Sequence, residues 1–200
     1  VDLQISHVQA LKNLGLDPDK PVLLVLGGSL GARTLNESIF SGLDKLKDEG
    51  IQLIWQAGKR YNVDLRARVG IPVAGVQLTE FINNMDEAYA AADIIISRAG
   101  AGTISELAWA ARPVILVPSP NVAEDHQTRN AQALVSGKAA MMVSDADAPK
   151  KLVETAIELI RDKNLQHELK KNIQDYAYPD AAAKIAAEII RLASIYRNKQ

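Results

Sequence analysis

A doubly wound α/β domain, in which a parallel sheet is covered by helices on both faces, is the fold this 200-residue sequence predicts. Three observations carry that expectation. Short apolar runs alternate with helical stretches along the whole chain, without an internal repeat. Nearly all the runs are continuously apolar, as strands buried on both faces are. Two of the runs end in glycine-rich turns that feed helices, the arrangement such folds use at a ligand edge.

Taken in order, a helix is expected near 4–14, followed by a strand from Pro21 to Leu26 that contains no polar residue. Gly27-Gly28-Ser29-Leu30-Gly31-Ala32 breaks that strand and opens an amphipathic helix over 32–48. Strands from Ile51 to Gln56 and from Val73 to Leu78 precede a helix over 84–90. The strand from Ala92 to Ser97 meets a second glycine turn, Arg98-Ala99-Gly100-Ala101-Gly102, and a helix over 103–111. Pro113 to Val117 is a strand followed by a polar loop, a helix over 126–136 and a last strand from Ala139 to Val143. Helices over 147–161, 165–175 and 180–197 follow, more than one such sheet needs. The last of them is the segment expected to reach over to another domain.

Composition bounds the function. With 48% apolar and 24% charged residues, the chain can bury a full core as one domain. A net charge of −1, 4% aromatics and no basic block argue against nucleic acid as a partner and against a polybasic membrane surface. No apolar run approaches the roughly 20 residues that span a bilayer, and no signal peptide is expected. The absence of cysteine excludes disulfides, a thiolate metal site and a cysteine nucleophile, and fits a reducing cytoplasm.

In a doubly wound sheet the ligand lies beyond the carboxyl ends of the strands, where the strand order reverses. Two glycine turns on that edge suit an extended diphosphate better than a single phosphate. Neither is a P-loop, because no Gly-Lys-Ser/Thr follows, and neither completes Gly-x-Gly-x-x-Gly. Thr103-x-x-Glu106 has the spacing of a capping box, which the spacing alone favours; the alternative is a carboxylate that accepts two ribose hydroxyls. Thr34-x-x-Glu37 reads as a capping box. Asp125 is expected to cap the helix at 126, which puts His126 and Gln127 in its first turn on the same edge. His7 and His167 lie on polar helical faces. No His, Asp and Glu cluster has metal-ligand spacing, and no Asp-x-Asp is available to chelate a diphosphate-bound cation, so no metal or other cofactor is expected.

Four segments, Gly27-Gly-Ser-Leu-Gly-Ala-Arg-Thr-Leu-Asn36, Glu80-Phe-Ile-Asn-Asn-Met85, Ser97-Arg-Ala-Gly-Ala-Gly-Thr-Ile-Ser-Glu106 and His126-Gln-Thr-Arg-Asn-Ala131, resemble in order and spacing the C-terminal half of the MurG family. These are the bacterial N-acetylglucosaminyltransferases that make lipid II. The resemblance spans essentially the whole chain, including Tyr178-Pro-Asp-Ala and the terminal helix. It implies a Rossmann-like donor domain of a two-domain GT-B glycosyltransferase, holding UDP-N-acetylglucosamine. By that resemblance Ser29 contacts the nucleotide, Phe81 and the Ile82 backbone hold the uracil, and Ala101, Gly102 and Thr103 face the diphosphate. Glu106 then takes the ribose hydroxyls in preference to capping, and His126 and Gln127 contact the sugar.

The resemblance also implies inversion to a β-1,4 linkage on lipid I, and peripheral attachment to the cytoplasmic face of the bacterial inner membrane. The family's acceptor-binding domain and its Gly-Asn-Pro-Val-Arg linker are not within these residues, and no catalytic base is found in this chain. The 200 residues alone are therefore expected to be soluble, to bind the donor weakly and to transfer nothing. Three rivals stay open. They are a stand-alone donor subunit of a two-chain enzyme, a GT-B relative such as a diacylglycerol glucosyltransferase or an epimerase, and a non-enzymatic nucleotide-binding module.

Overall fold

The computed structural model describes residues 5–178 and 180–197. Residue 4 of the expected first helix and Pro179 lie outside the described residues. Six parallel strands form one sheet: β1 (Val22–Leu26), β2 (Gln52–Gln56), β3 (Val76–Thr79), β4 (Ile94–Ser97), β5 (Val114–Leu116) and β6 (Met141–Met142). Their spatial order is β3-β2-β1-β4-β5-β6, the doubly wound arrangement. Leu26 stands opposite Gln56 on one side and Ser97 on the other, so β1, β2 and β4 end level.

Helices cover both faces: α1 (His7–Asn13), α2 (Arg33–Ser41), α3 (Leu43–Asp48), α4 (Asn62–Val69), α5 (Met85–Ala91), α6 (Ala101–Ala110), α7 (His126–Ser136), α8 (Ala148–Arg161), α9 (Lys163–Ile173) and α10 (Ala181–Arg197). Side chains along a strand alternate between faces. Leu23 and Val25 accordingly join Leu35, Leu46 and Leu152 from α2, α3 and α8 in one core cluster. Val22, Leu24 and Leu26 join Leu11, Ala91 and Leu107 from α1, α5 and α6 in the other. Every residue of β1 and β2 is buried, which is why these strands lack polar alternation.

Two helical expectations are corrected. The helix expected over 32–48 is broken at Gly42, whose Cβ, if present, would sit 2.5 Å from Val153 Cγ2; α8 packs directly against the break. The α4 helix was not expected, because it buries Leu65 alone and carries no apolar stripe. Tertiary contacts hold it instead. Arg66 donates to the Leu78 carbonyl at 2.7 Å, and Arg68 pairs with both oxygens of Glu37 while lying 4.1 Å from the centre of the Phe40 ring. That pairing keeps the Glu37 carboxyl below the usual range.

The expected Thr34–Glu37 capping box does not form. Ala32 occupies the cap position without a side-chain cap, Thr34 Oγ1 donates to Asp145 Oδ2 at 2.9 Å, and Glu37 belongs to Arg68. His7 is likewise tied down: its ring Nδ1 meets the Ala90 carbonyl at 2.8 Å, which joins α1 to the end of α5. The described side chains of α10 are exposed, Ile185, Ile189, Ile190 and Leu192 among them. Among the described residues no helix is long and apolar enough to cross a membrane.

Candidate functional site

The strand order reverses between β1 and β4, and the two glycine turns follow those two strands. In the first turn Gly28 and Gly31 have φ of +76° and +86°, the left-handed region that glycine enters without a Cβ penalty. Its backbone is stitched to the neighbouring connection, Gly27 N–H donating to Gln56 O and Lys59 N–H to Ser29 O, each at 3.0 Å. The fully buried Asn36 braces the same region, donating to Ala57 O and accepting from Trp55 Nε1, both at 2.9 Å. The second turn is gripped from α7. Gln127 Oε1 accepts from the N–H of Ala99 at 3.3 Å and of Ser119 at 2.9 Å, while Asn130 Nδ2 donates to Ala99 O at 3.0 Å.

Both helices that leave these turns begin uncapped. Ala32 precedes α2 and Gly100 precedes α6, and neither position supplies a side-chain acceptor. The first amides of a helix have no partner within it and carry the positive end of its dipole. The α6 end, with the first glycine turn facing it across one cleft, can seat an anionic oxygen ligand.

The cleft has a volume of about 360 Å³ and is lined by Ser29, Phe81, Arg98, Thr103 and Glu106, together with Gly28 and Tyr89. Four of the expected site residues, Ser29, Phe81, Thr103 and Glu106, therefore come together from three separate connections. Ala101 and Gly102 lie exposed in the first turn of α6 beside Thr103. Ile82 packs its side chain against the core, leaving its backbone for any ligand role. His126 and Gln127 are in the first turn of α7 as expected, but neither lines this cleft. His126 Nδ1 meets Ala123 O at 2.9 Å, and the carbonyl oxygen of Gln127 is used on the second turn.

Neither the capping box that the Thr103–Glu106 spacing alone favoured nor the expected Asp125 cap forms here. Thr103 lies inside α6 and Glu106 accepts from the Tyr89 hydroxyl at 3.1 Å, so no capping box forms. Asp125 stands at the cap position of α7, yet its carboxylate accepts from the Thr128 hydroxyl at 2.6 Å and not from a backbone amide. At both places the side chain takes a hydroxyl, from a distant helix at Glu106 and from the next turn of its own helix at Asp125.

Arg98 is a site residue that sequence reasoning missed. It is a cation between a buried strand and a glycine turn, a position from which it can reach whatever the turn holds; that placement was the available signal. It lines the cleft and pairs with Asp145, which lines a neighbouring cavity of about 490 Å³. Tyr89 was missed because nothing local marks it: an apolar helix face gives no hint that its hydroxyl meets a carboxylate 17 residues on.

The model of the glycosyltransferase family 28 C-terminal domain matches residues 22–187. A curated relative from Phocaeicola vulgatus, named UDP-N-acetylglucosamine–N-acetylmuramyl-(pentapeptide) pyrophosphoryl-undecaprenol N-acetylglucosamine transferase, is 49% identical over 98% of this chain and 52% of its own length. Its namesake from Cytophaga hutchinsonii is 50% identical over 92% of this chain and 49% of its own. The crystal structure of Acinetobacter baumannii MurG superposes with a TM-score of 0.77 at 29% identity, over 94% of this chain and 54% of that one. The chain spans about half the length of the curated relatives it matches. With a parallel sheet in this order and a family match across most of its length, the chain belongs to glycosyltransferase family 28, whose C-terminal domain it carries.

Proposed function

We propose that the cleft at the strand-order reversal binds UDP-N-acetylglucosamine, and that the chain is the donor half of a transferase converting lipid I to lipid II. The observation that carries this is the uncapped start of α6 together with Gly28 and Ser29 of the first glycine turn, beside Arg98 and Glu106 in one cleft. A diphosphate suits the amide end of α6, the first glycine turn and a guanidinium; a ribose suits the carboxylate. Phe81, 53% exposed at the rim, offers an aromatic surface for the uracil with the Ile82 backbone, and Ser29 contacts the nucleotide. Ala101, Gly102 and Thr103 face the diphosphate, Glu106 the ribose, and His126 and Gln127 the sugar.

In this reading the acceptor's 4-hydroxyl attacks the anomeric carbon as the bond to the diphosphate oxygen breaks, giving an inverted β-1,4 linkage. The leaving UDP gains negative charge next to helix ends already aimed at it, which lowers the barrier without reorganisation. The general base and the lipid I site belong to the half of the protein outside these residues. That half also makes the contact with the cytoplasmic face of the bacterial membrane, and the exposed apolar residues of α10, Ile185 and Ile189 among them, pack on it.

Calorimetry of the purified chain with UDP-N-acetylglucosamine, UDP-glucose and UDP tests the reading. One wall of a cleft provides a fraction of the contacts of a closed site, so Kd for UDP is expected on the order of 1 mM, about −4 kcal/mol. No lipid II is expected from the chain alone. Binding of none of the three ligands would overturn the proposal in favour of a scaffold.

A second expectation separates main-chain recognition from mere small size. A Cβ on Gly102 would meet nothing within 4 Å. Gly102→Ala keeps the amide and is a better helix former, so it is expected to stabilise the chain by about 0.5 kcal/mol and leave UDP binding unchanged. A large loss of affinity at unchanged stability would show instead that the ligand approaches too close to Gly102 for a methyl group.

A further inference from the structure

Glu106 is an exposed side chain with three rotatable bonds, and an exposed carboxylate of that kind ordinarily samples many positions. Here it is tethered. Tyr89 on α5 is fully buried in the cluster formed by α1, α5, α6 and the sheet, which leaves its ring one orientation. Its hydroxyl emerges at the cleft and donates to Glu106 Oε2 at 3.1 Å. Burial, and then the adjacent carboxylate, push the phenol above its ordinary range, so it remains a donor across the working pH range.

We infer that Tyr89 is a positioning residue: through its bond to Oε2 it fixes the Glu106 carboxylate so that Oε1 is offered to the vicinal hydroxyls of the ribose. The site thereby distinguishes ribonucleoside from 2′-deoxyribonucleoside diphosphates. The inference rests on the ribose role of Glu106 proposed above. It also explains why one helix serves two parts of the ligand. The loop carrying Phe81 runs straight into α5, so the surface proposed for the base and the anchor of the ribose carboxylate share one rigid element. A carboxylate held before the ligand arrives loses less freedom on binding, which raises affinity and sharpens selectivity together.

The experiment measures binding of UDP and of 2′-deoxy-UDP to the purified chain and to Tyr89→Phe, Glu106→Ala and the double variant. Tyr89→Phe removes one oxygen and keeps the buried ring, so its melting temperature is expected to stay within about 2 °C. UDP affinity is expected to fall about fivefold, the worth of one hydrogen bond. Affinity for 2′-deoxy-UDP, which keeps only the 3′-hydroxyl, is expected to fall less than that for UDP, so the preference for ribose shrinks. Glu106→Ala should bring UDP and 2′-deoxy-UDP to the same affinity, at or below the level of 2′-deoxy-UDP on the unaltered chain, and adding Tyr89→Phe should lower neither further. If Glu106→Ala weakens UDP while Tyr89→Phe leaves the ribose preference intact, the inference is wrong and the ribose role stands. If Glu106→Ala leaves UDP binding untouched, the ribose role itself fails, and the inference with it.

Discussion

Gly58→Ala is expected to lower stability by about 3–5 kcal/mol and to abolish nucleotide binding, the largest single-methyl effect in the chain. Gly58 has φ of +82°, where a side chain costs about 1 kcal/mol by itself. The space is worse. Its Cβ would sit 2.1 Å from Gly31 N, 2.2 Å from Gly31 Cα and 2.6 Å from the Leu30 carbonyl carbon, all backbone atoms that no rotamer change can clear. Gly31 mirrors the problem, since its own Cβ would lie 2.3 Å from Ala57 O. The first glycine turn and the connection after β2 thus pack backbone on backbone. Gly58 N–H further donates to Glu80 O at 3.1 Å, so displacement there carries into the segment that holds Phe81.

For a domain of this size the melting temperature should drop by about 10 °C. Gly50→Ala is the control. Gly50 has a similar φ of +68° with nothing within 4 Å of its Cβ, so it isolates the conformational cost at about 1 kcal/mol. Equal melting of the two variants would show that the close approach of the turns is not what demands glycine at position 58.

The second large effect is expected at Asp145, which joins the first turn of α2 to the second glycine turn from outside the cleft. Oδ1 accepts from Arg98 Nη1 at 2.5 Å and Oδ2 from Thr34 Oγ1 at 2.9 Å. The same Arg98 nitrogen also donates to Val117 O at 3.0 Å and Pro118 O at 3.1 Å. Both ionic side chains are about one-fifth exposed, 19% and 20%. A pair so placed is worth more than a surface bridge and less than a dry one. Asp145→Ala is therefore expected to cost about 2 kcal/mol, because it strips Arg98 of its counter-charge and Thr34 of its acceptor at once. Arg98→Ala should cost a similar amount. The double variant should lose little more than either, since the two residues act as a unit. Denaturant melts of the four proteins check this. Strictly additive losses would mean that the pair, despite its geometry, does not couple.

These two sites also separate what was legible in the sequence from what was not. The need for glycine at Gly28 and Gly31 could be read locally, because a tight turn after an apolar strand demands it. The reason for Gly58 could not, because the atoms it would strike belong to a turn 27 residues earlier. Arg98 and Asp145 are 47 residues apart and meet only because β5 and β6 bring the loop before α8 alongside the second turn. Such partners leave no trace in local spacing.

The capping boxes show the converse. Thr34 with Glu37 and Thr103 with Glu106 have the spacing of an N-terminal cap, and neither pair forms one. A capping side chain stabilises by about 1 kcal/mol, and a bidentate guanidinium or a buried phenol supplied by the fold competes successfully with that. The helix ends consequently stay open, which is the feature on which the proposed function depends.

By itself the sequence determined the six strands and the two glycine turns, since continuous burial, and in the first turn left-handed backbone at Gly28 and Gly31, are demands each residue makes on its immediate surroundings. It also marked which side chains could do chemistry. Only the tertiary structure decided that β1 lies beside β4, so that the two turns share one cleft, and which partner each polar side chain takes. The reason is physical: apolar burial and backbone conformation act over a few residues of chain, whereas a hydroxyl, carboxylate or guanidinium bonds to the best group within about 3 Å, however distant in sequence.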